Sequence, residues 1–335
     1  MTFTPGLADC HLHLEGSLPV DAVTELARRA GHRFGDPRAF EAARSAVRDP
    51  GSFLELYSQV CRLFRSPSDY GFAARGVARS LTADGVAYAE VYVSPDVPAR
   101  FGFDPHASLR EVDQAFRDAE AAGGTRCRIL LDAVRQWGPE SAERVLDVHE
   151  RTRLPSVVGF GLGGEEESRP AADFAGVYAR ARALGLRTSV HAGEWAGVSS
   201  LTDALDSLRP DRIDHGIAAV HDPHVLARLA EEGTPLWIAP TSNVVTGAVA
   251  SLEEHPLPRL LDAGVHVAIG ADDPVMFGTT TAAEHRLVQE RFGFGERTMR
   301  QLRENAWRFS FCPALDREHA LRRAPARSSQ PSVSS

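Results

Sequence analysis

Hydrophobic positions along the chain switch repeatedly between two periods. Short runs with strand character, Val86–Ser94, Arg126–Val134, Val157–Leu162, Arg187–His191, Arg212–His215, Thr234–Ala239 and Val265–Ala271, alternate with segments whose apolar residues recur every three or four positions. The helical segments are Leu109–Ala122, Ala142–Arg151, Ala171–Leu184, Leu201–Leu208, Pro223–Glu232 and Pro256–Ala263, followed by Thr281–Gln289 and Thr298–Phe309. With a first strand inside Leu7–Ser17 these make eight β-α units. A strand-helix-strand crossover covers both faces of a parallel sheet, so eight of them predict an α/β fold, a closed (β/α)8 TIM barrel.

Between the first and second strands the pattern is helical throughout, over Pro19–Ala30, Pro37–Arg48, Phe53–Arg65 and Pro67–Asp84. Residues 19–84 are therefore expected as a helical insertion after strand one. Its third helix sets Phe53, Leu54, Tyr57 and Phe64 near one stripe, and two readings are open: a face packed on the core, or an apolar lid over a pocket. Residues 1–324 read as one domain. The tail 325–335 is rich in Ser and Pro, has no periodicity and reads as disordered.

Composition narrows the function. The chain has 335 residues, 43% of them hydrophobic, enough for a sizeable core, and a formal net charge of -8. It offers no basic field for nucleic acid or an anionic membrane surface, so neither is an expected partner. All 37 basic positions are arginine, which removes a Schiff-base lysine, a P-loop lysine and a carboxylated lysine bridging two metals. Cys10, Cys61, Cys127 and Cys312 are far apart and form neither a C-x-x-C pair nor a disulfide framework. The N-terminus lacks a signal-peptide pattern and no apolar run spans a bilayer, so the expected location is cytoplasmic.

Candidate chemistry gathers at the strand ends. In L-A-D-C-H-L-H-L-E-G-S, His11 and His13 lie two apart, so on a strand their imidazoles share a face, and Asp9 is expected on that face too. Gly16 and Ser17 break the strand, which puts the pair at its C-terminal end, where parallel barrels carry their chemistry. Strand five ends in H-A-G-E (His191, Glu194), strand six in D-H-G (Asp214, His215) and strand eight in A-D-D-P (Asp272, Asp273). Singly, each has a plainer reading: His191 as a core histidine, Glu194 as a helix N-terminal carboxylate, Asp272 or Asp273 as a cap for the helix after Pro274. Together they point to one site. Three imidazoles and a carboxylate suit Zn²⁺ with a position left for water.

The ordered motifs H-L-H-L-E-G-S, V-V-G-F-G-L-G-G-E, V-H-A-G-E, D-H-G, P-T-S-N and A-D-D-P-V-M-F-G-T resemble the adenosine/adenine deaminase family of the amidohydrolase superfamily, over nearly the whole chain. The resemblance implies one Zn²⁺ per chain on His11, His13, His191 and Asp272, in keeping with the missing lysine. It implies hydrolytic deamination of a small-molecule 6-aminopurine to the 6-oxopurine and ammonia. His215 would orient the attacking hydroxide and Glu194 would protonate ring N1, which requires a raised carboxyl pKa. Asp273 would hold N7, and the Gly164 backbone N–H would meet N3.

Two positions depart from adenosine deaminases. Gly161 stands where D-L-A-G would place an aspartate, and Glu15 where an aspartate would meet the sugar's 5'-hydroxyl. The F-G-L-G-G wording is similar to that of aminodeoxyfutalosine deaminases of menaquinone biosynthesis, whose substrate carries a benzoate arm and would need an open pocket and a cationic partner. The expected order of substrates is an adenosine-like nucleoside, with aminodeoxyfutalosine the leading specific candidate, and then adenine. Glu165–Glu167 reads as a solvated loop, and Gly161–Gly164 as a tight turn able to approach a flat ring. A metal-dependent amide or ester hydrolase is the alternative from another class; it would keep the His/Asp set without needing Glu194 and Asp273 as a pair. The H-x-E and P-C-x-x-C pattern of cytidine-deaminase zinc sites is missing.

Overall fold

The computed structural model describes residues 6–314, so the tail at 325–335 lies outside the described residues. Eight parallel strands pair in chain order: β1 (Leu7–His13), β2 (Val86–Val93), β3 (Arg126–Val134), β4 (Val157–Gly163), β5 (Arg187–Ala192), β6 (Arg212–His215), β7 (Leu236–Ile238) and β8 (Val267–Ile269). Helices lie between them, and the expected (β/α)8 barrel is the fold. Val91, Leu131, Phe160, Val190, Ile213 and Ile269 from the strands pack with helix residues such as Val112, Phe116 and Leu146 in one core. Burial on both faces explains why the strands read as nearly continuous apolar runs. β7 and β8 are three residues each, shorter than the runs that announced them. Val265 and Ala271, outside the β8 ladder, are still buried, and burial rather than pairing sets the hydrophobic pattern.

The barrel closes through a seam rather than a ladder. An isolated bridge joins Leu12 to Asp272. The Asp272 N–H donates to the His11 carbonyl at 2.9 Å, and the His13 N–H to the Asp272 carbonyl at 3.1 Å. The Asp9 carboxylate serves this seam instead of joining the histidine side chains: it accepts from the His11 N–H (3.1 Å), the Ala271 N–H (3.0 Å) and the Thr281 hydroxyl (2.6 Å). The register of β1 on β2 slips between Asp9 and Leu12, so simple alternation does not carry through the strand.

The segment between β1 and β2 holds helices Val20–Ala30, Pro37–Arg44, Pro50–Cys61 and Pro67–Ala83. The third begins before its apolar stripe because Asp49 caps it: the Ser52 N–H donates to Asp49 Oδ1 at 2.7 Å, and Pro50 fits the first turn. Short helices Asp96–Arg100, Pro240–Val245 and Pro274–Phe277, beyond the reach of periodicity, follow β2, β7 and β8. Among the described residues no helix is long and apolar enough to cross a membrane.

At the start of β6 the fully buried Arg212 lies inside the barrel, 2.5 Å from the Glu90 carboxylate, and donates to the Cys10 carbonyl at 2.7 Å. Glu90 also accepts the Tyr88 hydroxyl at 2.8 Å. Removing one member of a buried pair leaves an uncompensated charge. Glu90→Ala should therefore cost about 3–5 kcal/mol of stability, read from urea unfolding; a loss under about 1 kcal/mol would show that water reaches the pair.

Candidate active site

At the C-terminal mouth of the barrel, His11 Nε2 lies 3.0 Å from His191 Nε2, and His13 Nε2 lies 3.2 Å from the same atom. Asp272 Oδ1 is 3.3 Å from both His11 Nε2 and His13 Nε2. All four side chains are buried, with their ligand atoms within 4.8 Å of one another. Donors at Zn–N distances of 2.0–2.1 Å in a tetrahedron are about 3.3 Å apart, so this donor set fits such an ion in type and spacing. The outer nitrogen of His191 faces the Leu162 carbonyl at 3.2 Å; a proton held there leaves the Nε2 lone pair for the cage. Behind the cage Asp214 lies 4.0 Å from His11 Nδ1 and 3.8 Å from His191 Nδ1, and takes hydroxyls from Ser189 (2.7 Å) and Tyr92. Burial opposes its charge, yet His11, His191 and Arg212 hold its carboxyl down to about 2.

Beside the cage stand the other strand-end residues. Glu194 Oε2 is 3.4 Å from His215 Nε2, and Glu194 Oε1 has no hydrogen-bond partner among the described residues. Burial, with the charges of Asp272, Glu166 and Asp273, lifts the Glu194 carboxyl well above the usual carboxylate range. His215 Nδ1 is 3.0 Å from the Asn243 amide, and the Asn243 carbonyl is 3.2 Å from His255 Nε2. That relay assigns the His215 proton to Nε2, on the Glu194 side. Burial and the neighbouring His11 push His215 down to about 3, so the ring is neutral. Ser242 donates to Asp272 Oδ2 at 2.7 Å, so P-T-S-N supports both strand ends. His215 and Asp272 hold φ of 65° and 61°, left-handed values that surrounding contacts must stabilise.

The cage opens into a cavity of about 410 Å³, whose inner wall includes Glu194, His215, Asp272, Asp273 and Gly164. Asp273 packs against Gly16, where a Cβ would fall 1.6 Å from Asp273 Oδ1. Burial and the charge of Asp272 raise the Asp273 carboxyl. Phe53, Leu54 and Tyr57 form one wall, while Phe64 is buried elsewhere in the core. Glu15 is not among the lining residues: it is buried, and its Oε2 accepts the Tyr57 hydroxyl at 2.9 Å. Gly161 has no room for a side chain, because a Cβ would meet the Tyr92 ring at 2.4 Å; the departure at this position accompanies Tyr92 reaching across to Asp214. The solvent end carries the exposed Arg62, Arg100 and Phe101, with the Arg100 guanidinium 3.9 Å above Trp137.

Sequence reasoning missed three supports. Glu165–Glu167 is not uniformly solvated: Glu165 and Glu167 are exposed, but Glu166 is buried. It accepts the backbone N–H groups of Gly193, Glu194, Trp195 and Ala196 and the Ser200 hydroxyl, at 2.5–3.1 Å. The available signal was indirect: H-A-G-E-W leaves a strand, and its consecutive N–H groups need an acceptor. Arg135, also buried, donates to the His191 carbonyl at 2.6 Å. Asp132, near the end of β3, lines the cavity, and burial lifts its carboxyl to about 7.

The adenosine deaminase family model matches residues 6–324. The chain is 35% identical over 305 residues to the adenine deaminase of Chelativorans sp. (strain BNC1), covering 91% of this chain and 93% of that protein. It is 39% identical over 319 residues to the aminodeoxyfutalosine deaminase of Streptomyces avermitilis, covering 93% and 89%. The crystal structure of adenine deaminase from Arthrobacter aurescens superposes with a TM-score of 0.90 at 31% identity, covering 96% of this chain and 98% of that one.

Glu166→Gln turns an N–H₂ toward backbone donors and frees the Glu194 turn. The expected result is a kcat about 10–100-fold lower with bound metal content unchanged, read by steady-state ammonia release and metal analysis. An unchanged kcat would mean that Glu194 is held without this anchor.

Proposed function

The chain belongs to the adenosine deaminase family, and from that premise we propose that it is a zinc-dependent enzyme hydrolysing the C6 amino group of a purine to release ammonia. The observation that carries this reading is the buried carboxyl of Glu194, 3.4 Å from His215 and raised by burial and neighbouring charges, beside the cluster of His11, His13, His191 and Asp272. When bound there, Zn²⁺ supplies Lewis acidity and a water acidic enough to attack at neutral pH. The remaining steps belong to the chain's own residues. Glu194 gives its proton to ring N1, which makes C6 electrophilic. Neutral His215 directs its Nε2–H at the attacking water and steadies the charge that develops there. Asp273, its carboxyl raised by burial, donates to N7, and the Gly164 N–H meets N3. Phe53, Leu54 and Tyr57 cover the ring and exclude water.

Adenine is the substrate these relatives support best, which moves it ahead of the adenosine-like nucleoside that the sequence placed first. One observation favours a second reading. Arg62 and Arg100 at the solvent end offer cations for an anionic arm, and the relative at 39% identity is named for aminodeoxyfutalosine. An amide or ester hydrolase has no support beside the family membership.

The test is ammonia release from zinc-loaded protein given adenine, adenosine or aminodeoxyfutalosine. One 6-aminopurine should turn over, and Glu194→Gln should lower kcat by about 10²–10⁴. Because the acid must carry its proton, kcat/KM should fall as pH rises past the raised Glu194 pKa; an acid-side loss with no alkaline fall would contradict the role. Zn²⁺ at about 100 times its Kd should stabilise metal-free protein by about 2.7 kcal/mol in thermal unfolding. Stoichiometric zinc without deamination of any of the three would sink the purine reading while leaving the cage intact.

A further inference from the structure

We propose that Asp132 selects an unsubstituted purine by accepting the N9–H of the free base. The inference rests on the purine reading above and goes beyond it by giving the far edge of the ring a partner.

Asp132 lies near the end of β3, where it lines the cavity and is only 8% exposed. Among the described residues its Oδ1 has no hydrogen-bond partner, and the Gly163 backbone N–H is a donor close to the carboxylate. No arginine pairs with it among the described residues; the charged groups facing it are His13, Glu15 and Asp214, and His13 is turned to the cage. A buried carboxylate short of donors costs free energy that a ligand N–H can recover.

Position then says which N–H. Around a purine, the ring nitrogens beyond C6 run N1, N3, N9 and back to C6 through N7. Around the barrel mouth, Glu194 follows β5, Gly164 follows β4, Asp132 lies near the end of β3, and Asp273 follows β8. With N1 on Glu194, N3 on Gly164 and N7 on Asp273, the two cyclic orders match when N9 faces the arc of β3, β2 and β1, and Asp132 is the carboxylate that lines the cavity on that arc. Adenine presents an N–H there. An N9-substituted purine presents carbon, leaves Asp132 unpaired and crowds it, and sites built around a hydrogen bond reject analogues that lack it far more strongly than apolar pockets reject a methylene.

The experiment compares kcat/KM for adenine, 9-methyladenine and adenosine in zinc-loaded wild type, Asp132→Asn and Asp132→Ala, with circular dichroism and metal content as folding controls. Wild type should prefer adenine by at least about 100-fold. Asp132→Ala should lose about 100-fold on adenine and change little on 9-methyladenine, while Asp132→Asn, which keeps an acceptor oxygen, should recover part of the loss. Equal losses on adenine and 9-methyladenine would overturn the proposal in favour of a structural role. A loss confined to adenosine would overturn it in favour of a sugar-hydroxyl acceptor, and a wild-type preference for the nucleoside would also overturn it. If wild type deaminates none of these and not aminodeoxyfutalosine either, the purine reading fails separately. Equilibrium binding of hypoxanthine against 9-methylhypoxanthine then decides Asp132: equal affinities in wild type and Asp132→Ala overturn its role.

Discussion

Three imidazole nitrogens and a carboxylate oxygen converge in a buried mouth through four contacts of 3.0–3.3 Å, a crowding of lone pairs that a positive charge between them would relieve. The surrounding structure is arranged to impose that convergence. His11 and His13 come from β1 and Asp272 from the end of β8, and the backbone bonds that close the barrel run between the same residues. Barrel closure and ligand convergence are thus one geometric event. The left-handed φ at Asp272 belongs to it, since the residue must bridge β1 with its backbone and reach the cage with its side chain.

Around that cage, environment divides chemically identical groups into different tasks. Asp272 and Asp273 are neighbours in the chain and both are buried. The imidazoles of His11 and His13 nevertheless hold Asp272 well below the usual carboxylate range against the cost of burial, while burial and the charge on Asp272 raise Asp273. Glu194 shares the second situation, with Glu166 adding charge from behind. The same residue types are thus pushed in opposite directions, Asp272 toward the anion and Asp273 and Glu194 toward the protonated form, a separation that divergent surroundings make possible. Glu166 does this without losing its own partners, because five donors converge on it.

What the sequence revealed follows from what is periodic or clustered. The eight strands, the insertion and the residues at the ends of β1, β5, β6 and β8 were legible because burial writes alternation into the chain and chemistry writes unusual residues where strands stop. The supports were not. Glu166 sits between two exposed glutamates and looks like them; Asp132 is a single acid inside an otherwise apolar strand run; Arg135 is one arginine among many. Their roles come from contacts between segments distant in the chain, such as Arg135 with the His191 carbonyl, and no local pattern encodes those. Glu15 shows the converse. Its place in a motif suggested a contact with substrate, yet the side chain is buried, accepts the Tyr57 hydroxyl and does not line the cavity.

The cavity therefore has two halves under different constraints. The inner half is tied to closure of the barrel and to charges that must balance, so a change at Asp272, Asp214 or Ser242 propagates into the cage. The outer half is built from helix Asp96–Arg100, the Trp137 turn and one face of Pro50–Cys61, with exposed side chains that close nothing else. Loops carried by a fixed scaffold can vary without unfolding it. Reaction type is accordingly a property of the mouth as a whole. Variation in substrate can therefore fall on the outer half, and Asp132 stands where the two halves meet, on a barrel strand and lining the cavity.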